Sequence, residues 1–137
     1  MAIRIVRLGA PRSPGEGIRL GTVRRPPRGV PKAEFASRDY YDAWLPELAP
    51  SDTLVRVGQS AATDRAWRAF ARGYRAEMAQ PASARLLELL AALSRTTSLS
   101  VGCYCADEAR CHRSILTELL EEHGAVIEHA SHRSPTP

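Results

Sequence analysis

The run Ser98 to Tyr104, Ser-Leu-Ser-Val-Gly-Cys-Tyr, is a short apolar stretch rich in β-formers, and helical patterns flank it on both sides. Upstream, Pro81 occupies a first-turn position, and Leu86, Leu87, Leu89, Leu90 and Leu93 give the helix a broad apolar face. Downstream, Ile115, Leu116, Leu119 and Leu120 recur at helical spacing. A strand entered from one helix and left into another belongs inside a parallel sheet, because parallel neighbours need long crossovers and antiparallel ones need only tight turns. The expected fold class is therefore α/β, a single three-layer domain with a mainly parallel sheet and helices on both faces.

The remaining elements fit that plan. Strands are expected near residues 3–8, where Ile3 and Ile5 share a face, near 18–23 after the turn-rich segment Pro11 to Gly17, and near 125–129. Three prolines in Arg24-Arg25-Pro26-Pro27-Arg28-Gly29-Val30-Pro31 exclude a regular helix or inner strand and predict a stiff loop carrying three arginines. Tyr40, Tyr41 and Trp44 suggest a short helix over Asp39 to Leu45, and Ser51 or Asp52 suits an N-cap. The clearest amphipathic helix runs from about Ala62 to Met78, with Trp67, Phe70, Tyr74 and Met78 inward and Arg65, Arg68, Arg72 and Arg75 outward. Gly124 fits a helix C-cap. One domain is expected over residues 1–130, with a disordered tail over 131–137.

Charge is unevenly spread. The net charge is +4, yet residues 1–38 hold nine basic side chains against Glu16 and Glu34, and the remainder is net acidic. A basic segment of this kind suits an anionic ligand or nonspecific contact with nucleic acid, although an arginine-rich base composition explains the arginine count equally simply. No apolar run reaches the ~20 residues of a membrane span, and the alternating N-terminus is not a secretory signal. Three cysteines without such a signal point to a reducing, cytoplasmic setting.

All three cysteines lie in Cys103-Tyr104-Cys105-Ala106-Asp107-Glu108-Ala109-Arg110-Cys111-His112-Arg113, where the strand gives way to a helix. Asp107 reads as the N-cap, which sets Cys111 and His112 about one turn into the helix. Cys103, Cys105, Cys111 and His112 are zinc-type ligands, but adjacent residues on a helix point about 100° apart, which argues against a metal. A thiolate in a phosphate loop fits poorly as well, since Asp107 and Glu108 repel an anion. Two readings stand level: an anion pocket in which His112 and Arg113 meet Arg24 and Arg28, and a structural one with the cysteines as small buried hydrophobes.

Several stretches in order make the chain resemble the bacterial and archaeal domain of unknown function family 488. Arg24, Pro27, Arg28 and Gly29 match its Arg-Pro-Arg-Gly loop, and Trp44 to Ser51 its tryptophan-to-Pro-Ser signature. Trp67 to Tyr74 resembles its Phe-three-Tyr helix, and Cys105 to Cys111-His112-Arg113 its Cys…Cys-His-Arg motif. Val23 and Pro26 depart from the pattern, standing where Asp and Trp are common. The resemblance implies a compact α/β fold, implies no activity, and adds weight to Arg24, Arg28, Cys111, His112 and Arg113 as a set. The leading expectation is a cytoplasmic domain that binds a small anionic ligand, a nucleotide or phosphorylated metabolite, through Arg24, Arg28, Arg113 and Cys103. Were chemistry to follow, Cys111 or Cys105 is the candidate nucleophile and His112 the candidate base. No metal or cofactor is assigned; a nucleic-acid-associated module, a cysteine enzyme and a zinc protein are the alternatives.

Overall fold

Ile3 and Ile5 turn to one side of the first strand and Arg4 and Val6 to the other, as their alternation demands, in a computed structural model that describes residues 1–105 and 111–129. The strands are β1 (Ile3–Arg7), β2 (Ile18–Gly21), β3 (Ala43–Trp44), β4 (Leu99–Cys103) and β5 (Ile127–Glu128). They form one sheet in the order β3-β2-β4-β1-β5, and every pairing is parallel. β4 is the inner strand that its flanking helices imply, paired on both edges and buried at all five positions.

Among the described residues, four α-helices complete the three-layer α/β domain: α1 (Asp52–Gln59), α2 (Asp64–Met78), α3 (Pro81–Ser94) and α4 (His112–Glu122). Ser51 caps α1 by accepting from the Leu54 amide, Thr63 caps α2, and Pro81 opens α3. Their apolar faces, including Phe70, Tyr74, Leu87, Leu90, Leu116 and Leu120, pack with Ile3, Leu20, Leu99 and Val101 in the main core. A second cluster, Val6, Leu8, Val23, Tyr41 and Cys103, joins the other side of the sheet to a layer of turns that includes a 3-10 turn at Lys32–Glu34. Gly102 makes this layering close: a Cβ there would stand 2.5 Å from the Val6 carbonyl oxygen.

Arg19 has no counterpart among the sequence expectations. It projects from β2 and is 1% exposed, with its guanidinium bidentate to Glu16 at 2.7 and 3.0 Å and donating to the carbonyls of Ala10 and Asp39. Ser100 on β4 donates to the same Glu16 carboxylate at 2.7 Å. Much of the basic N-terminal segment is thus occupied internally, since Arg4 also pairs with Glu128 and Arg12 with Asp39 and Asp42. In the arginine stripe of α2, Arg75 bridges Glu118 and Glu122 of α4.

The helix expected over Asp39–Leu45 is absent; a turn and β3 stand there. Asp39 adopts φ 65°, the Asp42 carboxylate accepts from the Arg19 amide, and the Trp44 indole donates to the Val23 carbonyl at 2.6 Å. Tertiary partners therefore hold the segment extended, and aromatic spacing alone could not show that. Gly124, at φ 89°, follows the end of α4 as expected. The Asp107 cap and the 131–137 tail lie outside the described residues. Among those described, no helix is long and apolar enough to cross a membrane.

Candidate functional site

β2 and β4 are neighbours whose onward connections diverge, β2 leading to β3 on one side and β4 leading past β1 to β5 on the other. In parallel α/β sheets a crevice opens at such a divergence, beyond the carboxyl ends of the strands. A cavity of about 600 Å³ lies there. Val23 and Arg24 line it from the segment after β2, Cys103 from the last position of β4 and Cys105 from just beyond it, Cys111 and His112 from the start of α4, and Trp67 and Phe70 from α2.

The start of α4 corrects the expected position of Cys111 and His112. Cys111 is the N-cap, with extended φ −128° and ψ 154°, and His112 is the first helical residue. The two side chains therefore do not diverge as consecutive residues of a helix would, and both reach the cavity. The Cys111 sulfur lies 2.7 Å from that of Cys103 and 3.8 Å from His112 Nδ1. These three residues are buried, and their ligand-type atoms all fall within 4.8 Å of one another.

His112 is oriented by Thr22, a residue that sequence reasoning missed. Nε2 lies 2.8 Å from the Thr22 carbonyl, which can only accept, so Nε2 carries the hydrogen and Nδ1 keeps its lone pair. The Thr22 hydroxyl lies 3.2 Å from the same nitrogen and donates to the Gly102 carbonyl, tying β2, β4 and α4 together. Burial pushes the His112 pKa down to about 4, against the opposing pull of the Thr22 carbonyl, so the imidazole is neutral at pH 7. No sequence signal pairs Thr22 with His112, since the contact spans 90 residues.

The thiols differ in character. Donation toward Cys105 and Cys111, reinforced by burial, raises the Cys103 pKa. Cys105 is exposed, and acceptance from Cys103 and then Cys111 lowers its pKa against the opposing effect of burial, with the Arg113 charge acting in the same direction as the hydrogen bonds. The Cys103 contact pulls Cys111 down, but Cys105 and burial outweigh it and leave Cys111 raised.

The arginines separate into distinct roles. Arg24 is half-buried, lines the cavity and donates to the carbonyls of Pro50 and Ala49 at 3.3 Å each, which pins the proline-stiffened loop to the start of α1. Arg25, not singled out by the sequence, also lines the cavity and pairs with Asp52 at 2.9 Å. Arg28 is exposed and lies outside the cavity wall. Arg113 is buried and donates to the carbonyls of Val6 and Cys105, each at 2.6 Å, so it braces the end of β4 from behind. Of the seven residues singled out, Arg24, Cys103, Cys105, Cys111 and His112 meet at one cavity; Arg28 and Arg113 do not line it.

Fold and site together define a parallel α/β domain with a cysteine- and histidine-lined crevice at the carboxyl edge of its sheet. The family is equally definite: over residues 3–124 the chain matches the model described as the active DUF488-N3 subclade, and it belongs to that family. No curated protein and no solved structure matches it.

Proposed function

We propose that the cavity binds a small organic anion of the nucleoside monophosphate class, with the phosphate at Arg24 and Arg25 and the planar base against Trp67 and Phe70. The observation that carries this reading is that Arg24, from the proline-stiffened loop, shares one cavity with Cys111 and His112. Guanidinium groups suit planar, bidentate recognition of phosphate, and the volume lies within the roughly 300–1,000 Å³ of small-molecule sites. Trp67 and Phe70 are stacked with centroids 4.8 Å apart and line the same cavity, which offers an aromatic surface for a planar base. That the matching subclade is described as active accords with thiols and an imidazole facing the cavity.

Calorimetric titration with the four ribonucleoside monophosphates, their nucleosides and inorganic phosphate tests the proposal. At least one monophosphate is expected to bind at least tenfold more tightly than its nucleoside or phosphate alone. Arg24→Ala and Arg25→Ala should each weaken it about tenfold, the worth of one charge-assisted contact. Absence of binding by all four monophosphates at millimolar concentration overturns the reading. So does binding of mixed-sequence DNA or RNA that is steeply salt-dependent and survives both arginine substitutions, which favours the nucleic-acid alternative.

A further inference from the structure

We propose that Cys103, Cys111 and His112 Nδ1, with Cys105 as the fourth ligand, form a site for one zinc-type divalent cation at the inner wall of the crevice. The inference concerns the protein's own side chains and stands apart from the anion proposed for the cavity. It begins from the clustering of the three buried residues, two thiols and an imidazole whose ligand atoms lie within 4.8 Å of one another. Cys105 lies two residues beyond Cys103, just past the end of β4, and lines the same cavity as Cys103, Cys111 and His112. Three thiolates and one imidazole are a ligand set for which zinc is the commonest ion, and four protein ligands make a closed, structural site.

The dimensions suit the ion. Bonds of about 2.3 Å to sulfur and 2.0 Å to nitrogen place tetrahedral sulfur and nitrogen ligands about 3.5 Å apart. Cys111 Sγ and His112 Nδ1 stand at 3.8 Å. The Cys103 and Cys111 sulfurs, at 2.7 Å, would separate by about 1 Å to the ~3.8 Å edge of a zinc tetrahedron, a movement that thiol rotation supplies.

A second observation is independent of the clustering. Histidines that bind metals typically donate their other ring N–H to a carbonyl or carboxylate, which selects the tautomer. His112 does this with the Thr22 carbonyl at 2.8 Å, and Nδ1 is the nitrogen left with its lone pair on the thiol side. Charge is provided for as well. Zinc with three thiolates is a unit of −1, and buried Arg113 holds the Cys105 carbonyl at 2.6 Å, bringing a fixed positive charge beside the ligand loop. The helical-spacing objection to a metal loses its premise, because α4 begins only at His112 and Cys111 is extended.

The test uses the full chain, purified without chelator and kept under reductant. Elemental analysis should find one equivalent of zinc. Replacement by cobalt(II) should give the strong visible bands of a tetrahedral site together with a thiolate-to-cobalt charge-transfer band. Restoring zinc to chelator-treated protein should raise Tm by at least about 5 °C, as a ligand bound only by the folded state must. Cys111→Ser and Cys103→Ser should lose the bound metal. Should those variants fail to fold, Cys105→Ser at the exposed position provides the reading, with charge-transfer intensity falling by about one third as one thiolate of three is removed. Reduced wild-type protein that holds no zinc and develops no cobalt bands overturns the site, and an unchanged cobalt spectrum in Cys105→Ser overturns the fourth ligand. Neither measurement involves the anion, so the two proposals fail separately.

Discussion

Glu16→Gln is expected to lower stability by about 3–5 kcal/mol, the usual consequence of leaving one half of a buried ion pair alone. Glu16 is 3% exposed, and its two oxygens receive Arg19 Nε and Nη2, the Ser100 hydroxyl and the Ser13 amide. Glutamine presents only one acceptor oxygen, and its NH2 group would face the Arg19 guanidinium, donor against donor. Burial alone would raise the Glu16 pKa, but donation from Arg19, Ser100 and Ser13 outweighs it and brings the value down to about 2 from 4.5.

The folded-state pKa is depressed, so the stabilisation is complete above about pH 4.5 and disappears as pH falls toward 2. That shift corresponds to about 3 kcal/mol. Thermal unfolding followed by circular dichroism at pH 7 should show Tm lower by about 10–15 °C in the variant. Between pH 5 and 2.5 the wild-type Tm should fall more steeply than that of Glu16→Gln. A difference under 1 kcal/mol at pH 7, or parallel pH curves, would show that the network contributes little.

Arg113→Met is expected to cost about 2–5 kcal/mol and to loosen the strand end that carries Cys105. Methionine preserves much of the apolar stem but removes two short charge-assisted hydrogen bonds, leaving the Val6 and Cys105 carbonyls without the guanidinium. The two acceptors lie on different strand ends, and the planar fork of arginine reaches both. Arg113→Lys keeps the charge and a similar length, yet it should recover less than half of the loss. Urea unfolding measures the stability, and the alkylation rate of Cys105 by iodoacetamide reports the local effect. A lysine variant as stable as wild type would mean that charge, rather than the bidentate clamp, is what Arg113 supplies.

The legible parts of this molecule are those in which local periodicity meets burial. Leu99 to Cys103 reads as an inner parallel strand because helices flank it, and β4 is buried throughout. Residues 64–78 bury Phe70, Tyr74 and Met78 at helical spacing. Asp39 to Leu45 misled because aromatic spacing resembles a helix, whereas Arg19 and Val23, distant in sequence, take its polar groups into an extended path.

At the site, the loop arginines and the Cys-His-Arg segment were both visible as chemistry, but their partners were not. Arg24 and Arg28 share one loop, and only the path of that loop past Ala49 and Pro50 places Arg24 at the cavity and leaves Arg28 outside. Arg113 donates to the Val6 and Cys105 carbonyls, contacts that the sequence did not indicate. Thr22 carried no signal, although it sets the tautomer of His112.

Sequence alone determined the α/β class, the order of the main strands and helices, and the concentration of reactive side chains at one strand-to-helix junction. These follow from spacing of 2 or 3.6 residues and from prolines, all properties of neighbouring residues. Tertiary structure alone decided that Arg19 is buried on Glu16, that His112 Nδ1 rather than Nε2 keeps its lone pair, and which arginine meets the thiols. Such outcomes depend on which distant backbone groups reach one another when β2, β4 and α4 converge, and no local pattern encodes that meeting.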